Sequence, residues 1–384
     1  MLAKRIAYAL MVLASVVTLI ITDSGIALFI CVFLVCLPFV SLLTLSLAKR
    51  KVKFSCKVNQ SCIRGNTLRL TVKVGVTPRF FVGTAEVVAE IENATFNKKE
   101  YKNFVFKDLS FAPHDYDYVS ANSGKIVVRF VSIKLIDIFG VVKRTVKCYE
   151  IAESMVSPIL FDNLQMELGV NKNESVYGEN VLPQKGHDIT EIYNIRDYQA
   201  GDSLSSVHWK LSGKFDALKT KDFGSTDDRN LLVLVDMSRK KFDDEATDDM
   251  LNSVLDAAVS VSNAMIMHGY AHTVGWFDKG LFGSSDVNDA DSFVQMVDKL
   301  MSIKVDEGNA ESLFYLTRVP SCSVFTKIIY VTTAVNTDEL KQSVNCDITS
   351  IVVGNGFGEV DNGAYKIINV PYDRIATALA TCVL

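Results

Sequence analysis

The chain lacks the marks of several common protein classes. Its eight cysteines include no C-x-x-C pair and no disulfide-type spacing, which excludes a zinc ribbon or a small disulfide-stapled scaffold. Cys31 and Cys36 fall inside an apolar run, and the other six are scattered, a usage that suits a reducing compartment. There is no basic excess either. The formal net charge is -4, with 40 Lys+Arg interleaved among 44 Asp+Glu, whereas a nucleic-acid binder needs a basic stripe to neutralise phosphates. No P-loop and no G-x-S-x-G elbow is present, so the chain has neither an NTPase phosphate cradle nor an α/β-hydrolase nucleophile turn. Internal repeats and low-complexity tracts are also missing.

What is present begins with two uncharged stretches, Ile6 to Ile21 and Ile26 to Leu47. Each approaches or reaches the roughly 20 apolar residues a spanning helix needs. Only Thr22-Asp23-Ser24-Gly25 separates them, so residues 1–50 are expected to form an antiparallel transmembrane hairpin. Lys4 and Arg5 precede the first run, and Lys49, Arg50, Lys51 and Lys53 follow the second, while the loop carries only Asp23. The positive-inside rule then places both ends, and the bulk of the chain, in the cytoplasm of a two-pass membrane protein. No small-x-small cleavage site follows the first run, which argues against a signal peptide.

Beyond residue 50 about 330 residues remain, enough for two domains. Residues 51–160 alternate with period two: Phe54, Cys56 and Val58, then Leu68 through Val74, then Val127 through Leu135. Turn chemistry at Arg64-Gly65-Asn66, Ala112-Pro113 and Asn122-Ser123-Gly124 separates these runs. A small antiparallel β-sandwich-like domain is expected, with His114 in a loop. Residues 161–228 read as linker and signature segment. Residues 229–384 alternate strands (Leu231–Val235, Ala271–Phe277, Lys327–Val331, Ile348–Val353) with helices (Thr247–His268, a stripe from Phe293 to Met301, Asp373–Cys382), the pattern of a doubly wound α/β domain.

The densest motif runs from Ile195 to Lys214. Asp202 is placed to cap a short helix starting near Ser203, and Gly213 to stop it. Leu204, Val207, His208 and Leu211 fall on one face of that helix, with Lys210 and Lys214 on another. Docking is one reading of Arg196, His208, Lys210 and Lys214. The competing one makes Asp202 a cap, Trp209 a core anchor and Arg196–Asp197 an internal ion pair. Ser206, His208 and Asp202 would be the residues of a hydrolase, if contact were shown.

Arg196, Asp197, Tyr198, Gly201, Asp202, His208, Trp209, Lys210, Ser212 and Lys214, at this spacing, resemble the hallmark of the "domain of unknown function fifty-eight" (DUF58) family. The order of hairpin, β-rich segment, motif and α/β domain is similar too. Ser205 departs from the family, which has arginine there. The resemblance implies a von Willebrand factor A-like last domain, a MoxR-type AAA+ ATPase as partner and transglutaminase-like membrane proteins as further candidates. Any ATPase activity would then come from the partner.

A von Willebrand A-type metal site normally reads D-x-S-x-S, with threonine and aspartate from later loops, because Mg²⁺ takes oxygens in octahedral array. Asp236 and Ser238 match this pattern. Lys240, Ala310 and Thr332-Thr333 break it, and Lys240 is expected to pair with Asp236 in place of a metal. No cofactor is therefore expected. The acidic residues Asp243, Asp244, Glu245, Asp248 and Asp249 are the fallback for a metal, against a solvated loop and helix N-terminus. The functional expectation is a membrane-tethered, non-enzymatic adaptor; the alternatives are a hydrolase centred on His208 and a metal-dependent adhesion domain.

Overall fold

The computed structural model describes residues 2–77, 82–162, 164, 192–197, 212, 219–223, 231–239, 248–306, 308, 312–316, 318, 325–342, 346–363 and 365–381. The two apolar runs are helices α1 (Leu2–Thr22) and α2 (Gly25–Lys49). Ser24 caps α2 by accepting from the Ile26 N–H at 3.3 Å. Tyr8 donates its hydroxyl to the Leu34 carbonyl, tying the helices together. Both are long and apolar enough to cross a membrane, and 6% of each one's apolar window is buried. That much is compatible with a membrane-anchored protein.

The following domain is rich in sheet. Strands β1 (Val52–Val58), β3 (Thr67–Val76) and β6 (Ser110–Val119) form one sheet in the order β1-β3-β6. The other has the order β2-β9-β7-β4-β5, from β2 (Ser61–Ile63), β4 (Val82–Asn93), β5 (Lys98–Phe106), β7 (Gly124–Asp137) and β9 (Ile151–Ser157), with β8 (Lys143–Lys147) paired to β7. Alternate residues of both sheets, among them Leu68, Leu70, Val72, Val87, Ile91, Val128 and Leu135, share one core, as period-two alternation requires. Two expectations need correction. The domain is not wholly antiparallel, because β2 and β9 pair in parallel. His114 and Pro113 lie inside β6 rather than in a loop. Proline is tolerated there because β6 is an edge strand, where a missing N–H breaks no interior ladder.

The last domain is built on a seven-stranded sheet ordered β14-β13-β12-β15-β16-β18-β17. Its strands are β12 (Leu231–Val235), β13 (His272–Asp278), β14 (Leu281–Val287), β15 (Lys327–Thr332), β16 (Asp347–Gly354), β17 (Gly358–Asp361) and β18 (Tyr365–Pro371). The inner five are parallel and the edges β14 and β17 antiparallel. The antiparallel edges went unread in the sequence, since Leu281–Val287 and Gly358–Asp361 carry mixed polarity and no continuous apolar run. Helices α3 (Asp248–Met267), α4 (Ala290–Leu300) and α7 (Ile375–Thr381) cover one face, and α5 (Ser312–Leu316) and α6 (Thr337–Gln342) the other. In β12, Leu231, Val233 and Val235 enter the first core while Leu232 and Leu234 enter the second, which is why the strand is apolar throughout.

Helix α3 is buried on nearly every side and is apolar enough to qualify by composition as a third membrane span. It lies instead between the sheet and the β-rich domain, the usual place for a helix apolar all round. Phe96 from the β-rich domain and Leu164 from the following segment belong to the same core as α3. The Asn252 side chain accepts from the Ser123 N–H and donates to Asn122 Oδ1, both at 2.9 Å. Thr95 donates to the Met301 carbonyl at 2.6 Å, and its own carbonyl accepts from Val305 N–H at 2.8 Å.

Candidate functional site

In a doubly wound sheet, ligands meet the carboxyl ends of the strands where the winding reverses. Here the reversal lies between β12 and β15, since the chain leaves β12 for β13 and β14 on one side and returns to β15 on the other. Asp236 directly follows β12 and is 1% exposed. Four protein donors converge on its carboxylate. Oδ1 accepts from the Ser238 N–H at 2.9 Å and from the Ser238 hydroxyl. Oδ2 accepts from the Tyr330 hydroxyl at 2.8 Å and from the Ser312 N–H at 3.2 Å. Charge-assisted bonds of this kind are among the stronger ones in a protein interior.

Ser238 forms a parallel bridge with Asp306, flanked by bonds from Arg239 N–H to the Asp306 carbonyl (2.7 Å) and from Asp306 N–H to the Met237 carbonyl (3.1 Å). The Thr332 hydroxyl is spent on the Ala334 carbonyl at 2.9 Å, and Thr333 reaches the Ser238 carbonyl at 3.5 Å. Asp248 pairs with Arg239 and with Lys98 of the β-rich domain. Of the acidic fallback residues, Asp248 and Asp249 therefore belong to the first turn of α3, where negative charge suits the helix dipole; residues 243–245 lie outside the described residues. Lys240 and Ala310 do too. Tyr330 and Ser312 were missed as partners of Asp236, because each lies more than 70 positions away (|i−j| of 94 and 76).

Among the described residues no group of three or more His, Cys, Asp or Glu side chains is arranged to hold a metal. Asp236 and Ser238, the two residues expected to remain of a metal site, are joined to each other. By themselves, these two residues supply too few oxygens for an octahedral Mg²⁺ shell, which needs oxygens turned toward a common point.

The signature segment is bracketed by strands that the sequence reading placed in a linker. β10 (Ile192–Asp197) pairs antiparallel with β11 (Lys219–Phe223), with Arg196 opposite Thr220 and Asp197 opposite Lys219. Ser212 is buried, and its hydroxyl accepts from the Lys219 N–H at 2.9 Å. The two ends of the motif are thereby held together. Tyr198, Gly201, Asp202, His208, Trp209, Lys210 and Lys214 lie outside the described residues, as do the side chains of Arg196 and Asp197.

Among the described residues of the last domain, a serine and a histidine are in contact. Ser262 Oγ lies 2.7 Å from His272 Nε2, with His272 Nδ1 at 3.0 Å from the Tyr270 carbonyl. Both residues are buried, at 0% and 3% exposure. A nucleophile needs access to its substrate as well as a base, so this pair is a satisfied core contact. An open cleft of about 800 Å³ between the two domains is lined by Lys125, Glu153, Trp276, Asp298 and Lys299. There Lys125 pairs with Glu153 at 2.7 Å, and Lys299 donates to Ser285 at 3.2 Å.

No protein-family model matches the chain. Over 144 residues the chain is 24% identical to the uncharacterized protein YeaD of Bacillus subtilis (strain 168), a match covering 36% of this chain. The match spans 35% of that relative's length. Among solved structures, a cohesin module from a Clostridium perfringens ATCC13124 family 33 glycoside hydrolase is 14% identical, with 27% of this chain and 96% of the module covered at a TM-score of 0.21. A Paenibacillus sp. cycloisomaltooligosaccharide glucanotransferase is 9% identical, with 77% of this chain and 48% of that one covered at a TM-score of 0.17. Structural likeness at these scores carries no argument about fold or function.

Proposed function

We propose that this protein is a membrane-anchored, non-enzymatic adaptor whose α/β domain is of the von Willebrand factor A type and docks protein partners. The observation that carries this reading is the set of donors on Asp236. At the point where a doubly wound domain would present charge to a ligand, the carboxylate turns inward and ties together β12, β15, α5 and the Ser238 loop. The strand end is thus rigidified, and its carboxylate holds little free charge for a cation or substrate. The sheet order, with parallel strands inside and antiparallel β14 at one edge, supports the von Willebrand A assignment.

The basic flanks Lys4, Arg5, Lys49 and Arg50 support a two-pass anchor with both domains cytoplasmic. The resemblance of the signature to DUF58 proteins supports a MoxR-type AAA+ ATPase as the partner, with a transglutaminase-like membrane protein as a further one. In this reading the signature segment is the docking element, with Lys210 and Lys214 as contact residues. The test is a pull-down from native membranes with the full-length protein and its Lys210→Glu/Lys214→Glu variant. An AAA+ ATPase retained by the parent and lost by the variant is the expected result. Unchanged capture, or a substrate turnover that His208→Ala abolishes, overturns the reading.

A further inference from the structure

The end of α2 runs into the β-rich domain. At 25 residues the helix is about 37 Å long, longer than the roughly 30 Å of bilayer hydrocarbon. Ser41, Leu45 and Ala48 are fully buried, and Leu45 and Ala48 belong to the core of the β-rich domain. On the same turns Leu42, Leu43 and Leu47 are 42–60% exposed. These turns therefore face protein on one side and an apolar medium on the other, which puts the end of the β-rich domain at the bilayer surface.

The turn between β7 and β8 sits at that level. Arg5, at the start of α1, donates Nε–H to the Val141 carbonyl at 2.9 Å. Gly140 has φ +72°, a left-handed conformation that favours glycine, and its outer side lies against the flexible Lys4 side chain of α1. Asp137, the turn's only carboxylate, points inward at 3% exposure and accepts from the Val142 N–H at 2.8 Å. At the tip, the adjacent apolar residues Ile138 and Phe139 are 59% and 39% exposed. The three segments that meet here, Met1–Thr22, Ser24–Val58 and Ile138–Tyr149, contain no Asp or Glu. Lys4, Arg5, Lys49, Arg50, Lys143 and Arg144 are all exposed around the turn, and none is paired with a carboxylate among the described residues.

We propose that the β7–β8 turn is a third membrane contact: Ile138 and Phe139 enter the interfacial layer beside the two helices, and the surrounding basic side chains take anionic lipid headgroups. This rests on the membrane-anchored reading above. Apolar side chains flanked by Lys and Arg are the combination that binds an anionic lipid surface.

The test reconstitutes the full-length protein in phosphatidylcholine vesicles with increasing phosphatidylglycerol. Two variants, Phe139→Trp and Phe33→Trp, are compared with the parent, whose Trp209 and Trp276 give the background. Phe33 is 57% exposed in the middle portion of α2. The expected result is that lipids brominated near the headgroup quench the indole added at 139 severalfold more than the parent. That quenching should rise with phosphatidylglycerol, and the rise should vanish in the Lys143→Glu/Arg144→Glu background. Bromines deep in the chain should quench the indole added at 33. If position 33 is quenched and position 139 is not, the turn proposal fails while the anchor stands. If neither is quenched, the anchor itself fails and takes the proposal with it.

Discussion

Arg64, on the turn after β2, places its guanidinium 2.5 Å from the carboxylate of Asp256 in the middle of α3, so that a buried ion pair joins the β-rich domain to the α/β domain. Asp256 is 1% exposed, and its other oxygen accepts from the Ile159 N–H at 2.8 Å. Burial outweighs both partners and pushes the carboxyl up to about 6. Its folded value thus lies above its unfolded one, near 3.8. The stability contributed by its protonation is fully present below the unfolded value and is lost as pH rises through about 6.

Arg64→Ala should accordingly destabilise the protein by about 3–5 kcal/mol at pH 7.5, where it strands a buried carboxylate. At pH 5 the carboxyl is mostly protonated and the loss should be clearly smaller. Thermal unfolding of detergent-solubilised protein at both pH values reads the difference. Equal losses would show that Asp256 ionisation is not the cause.

Tyr330→Phe should cost about 1–2 kcal/mol by removing one donor from the buried Asp236 carboxylate. Asp236→Ala should cost more, since it leaves the Tyr330 and Ser238 hydroxyls and the Ser312 N–H without that acceptor. Mg²⁺ should leave the melting temperature unchanged. A site with a dissociation constant of about 10 µM would add roughly 2.7 kcal/mol at about 1 mM metal, so a clear upward shift with Mg²⁺ refutes the closed-carboxylate account.

His272 should oppose Asp256. Burial lowers its imidazole below the ordinary value of 6.5, and the Tyr270 carbonyl only partly offsets this. Its folded value is depressed, so the stability held by neutral His272 is present above about pH 6.5 and is lost as pH falls through the folded value. His272→Asn should lower stability at pH 7.5 yet flatten the fall toward acid. An unchanged acid slope, measured by chemical unfolding from pH 7.5 to 4.5, removes His272 as its source.

Asn252→Ala should loosen the contact between α3 and the β-rich domain by about 2 kcal/mol, because the buried Ser123 N–H loses its acceptor. Hydrogen exchange at residues 120–124 should accelerate, while the far edge at β17 keeps its rate. Uniform acceleration would mean global rather than junction-specific loss.

Local pattern carried much of the fold. The uncharged runs from Ile6 and Ile26 were legible as helices because bilayer thickness translates directly into residue number. Leu231–Val235 was legible as a buried strand because both its faces are covered, and Asp236 was located at a strand end by the same reasoning. Pattern failed where partners are distant. His114-Pro113 resembled a turn, yet the edge position of β6 admits proline, and only the sheet order reveals that edge. The β10–β11 ladder escaped notice because its two short strands lie more than 20 positions apart along the chain, beyond the reach of local pattern.

By itself, then, the sequence determined that two apolar helices open the chain, that a period-two domain follows, and that strands and helices alternate to the end, because these depend on neighbours within a turn or a strand. Only the tertiary structure decided that Tyr330 and Ser312 close on Asp236, that Arg64 meets Asp256 across 192 positions, and that Leu45 of the second apolar helix joins the core of the β-rich domain. Those contacts depend on sheet order and domain packing, which bring together residues that no spacing along the chain relates.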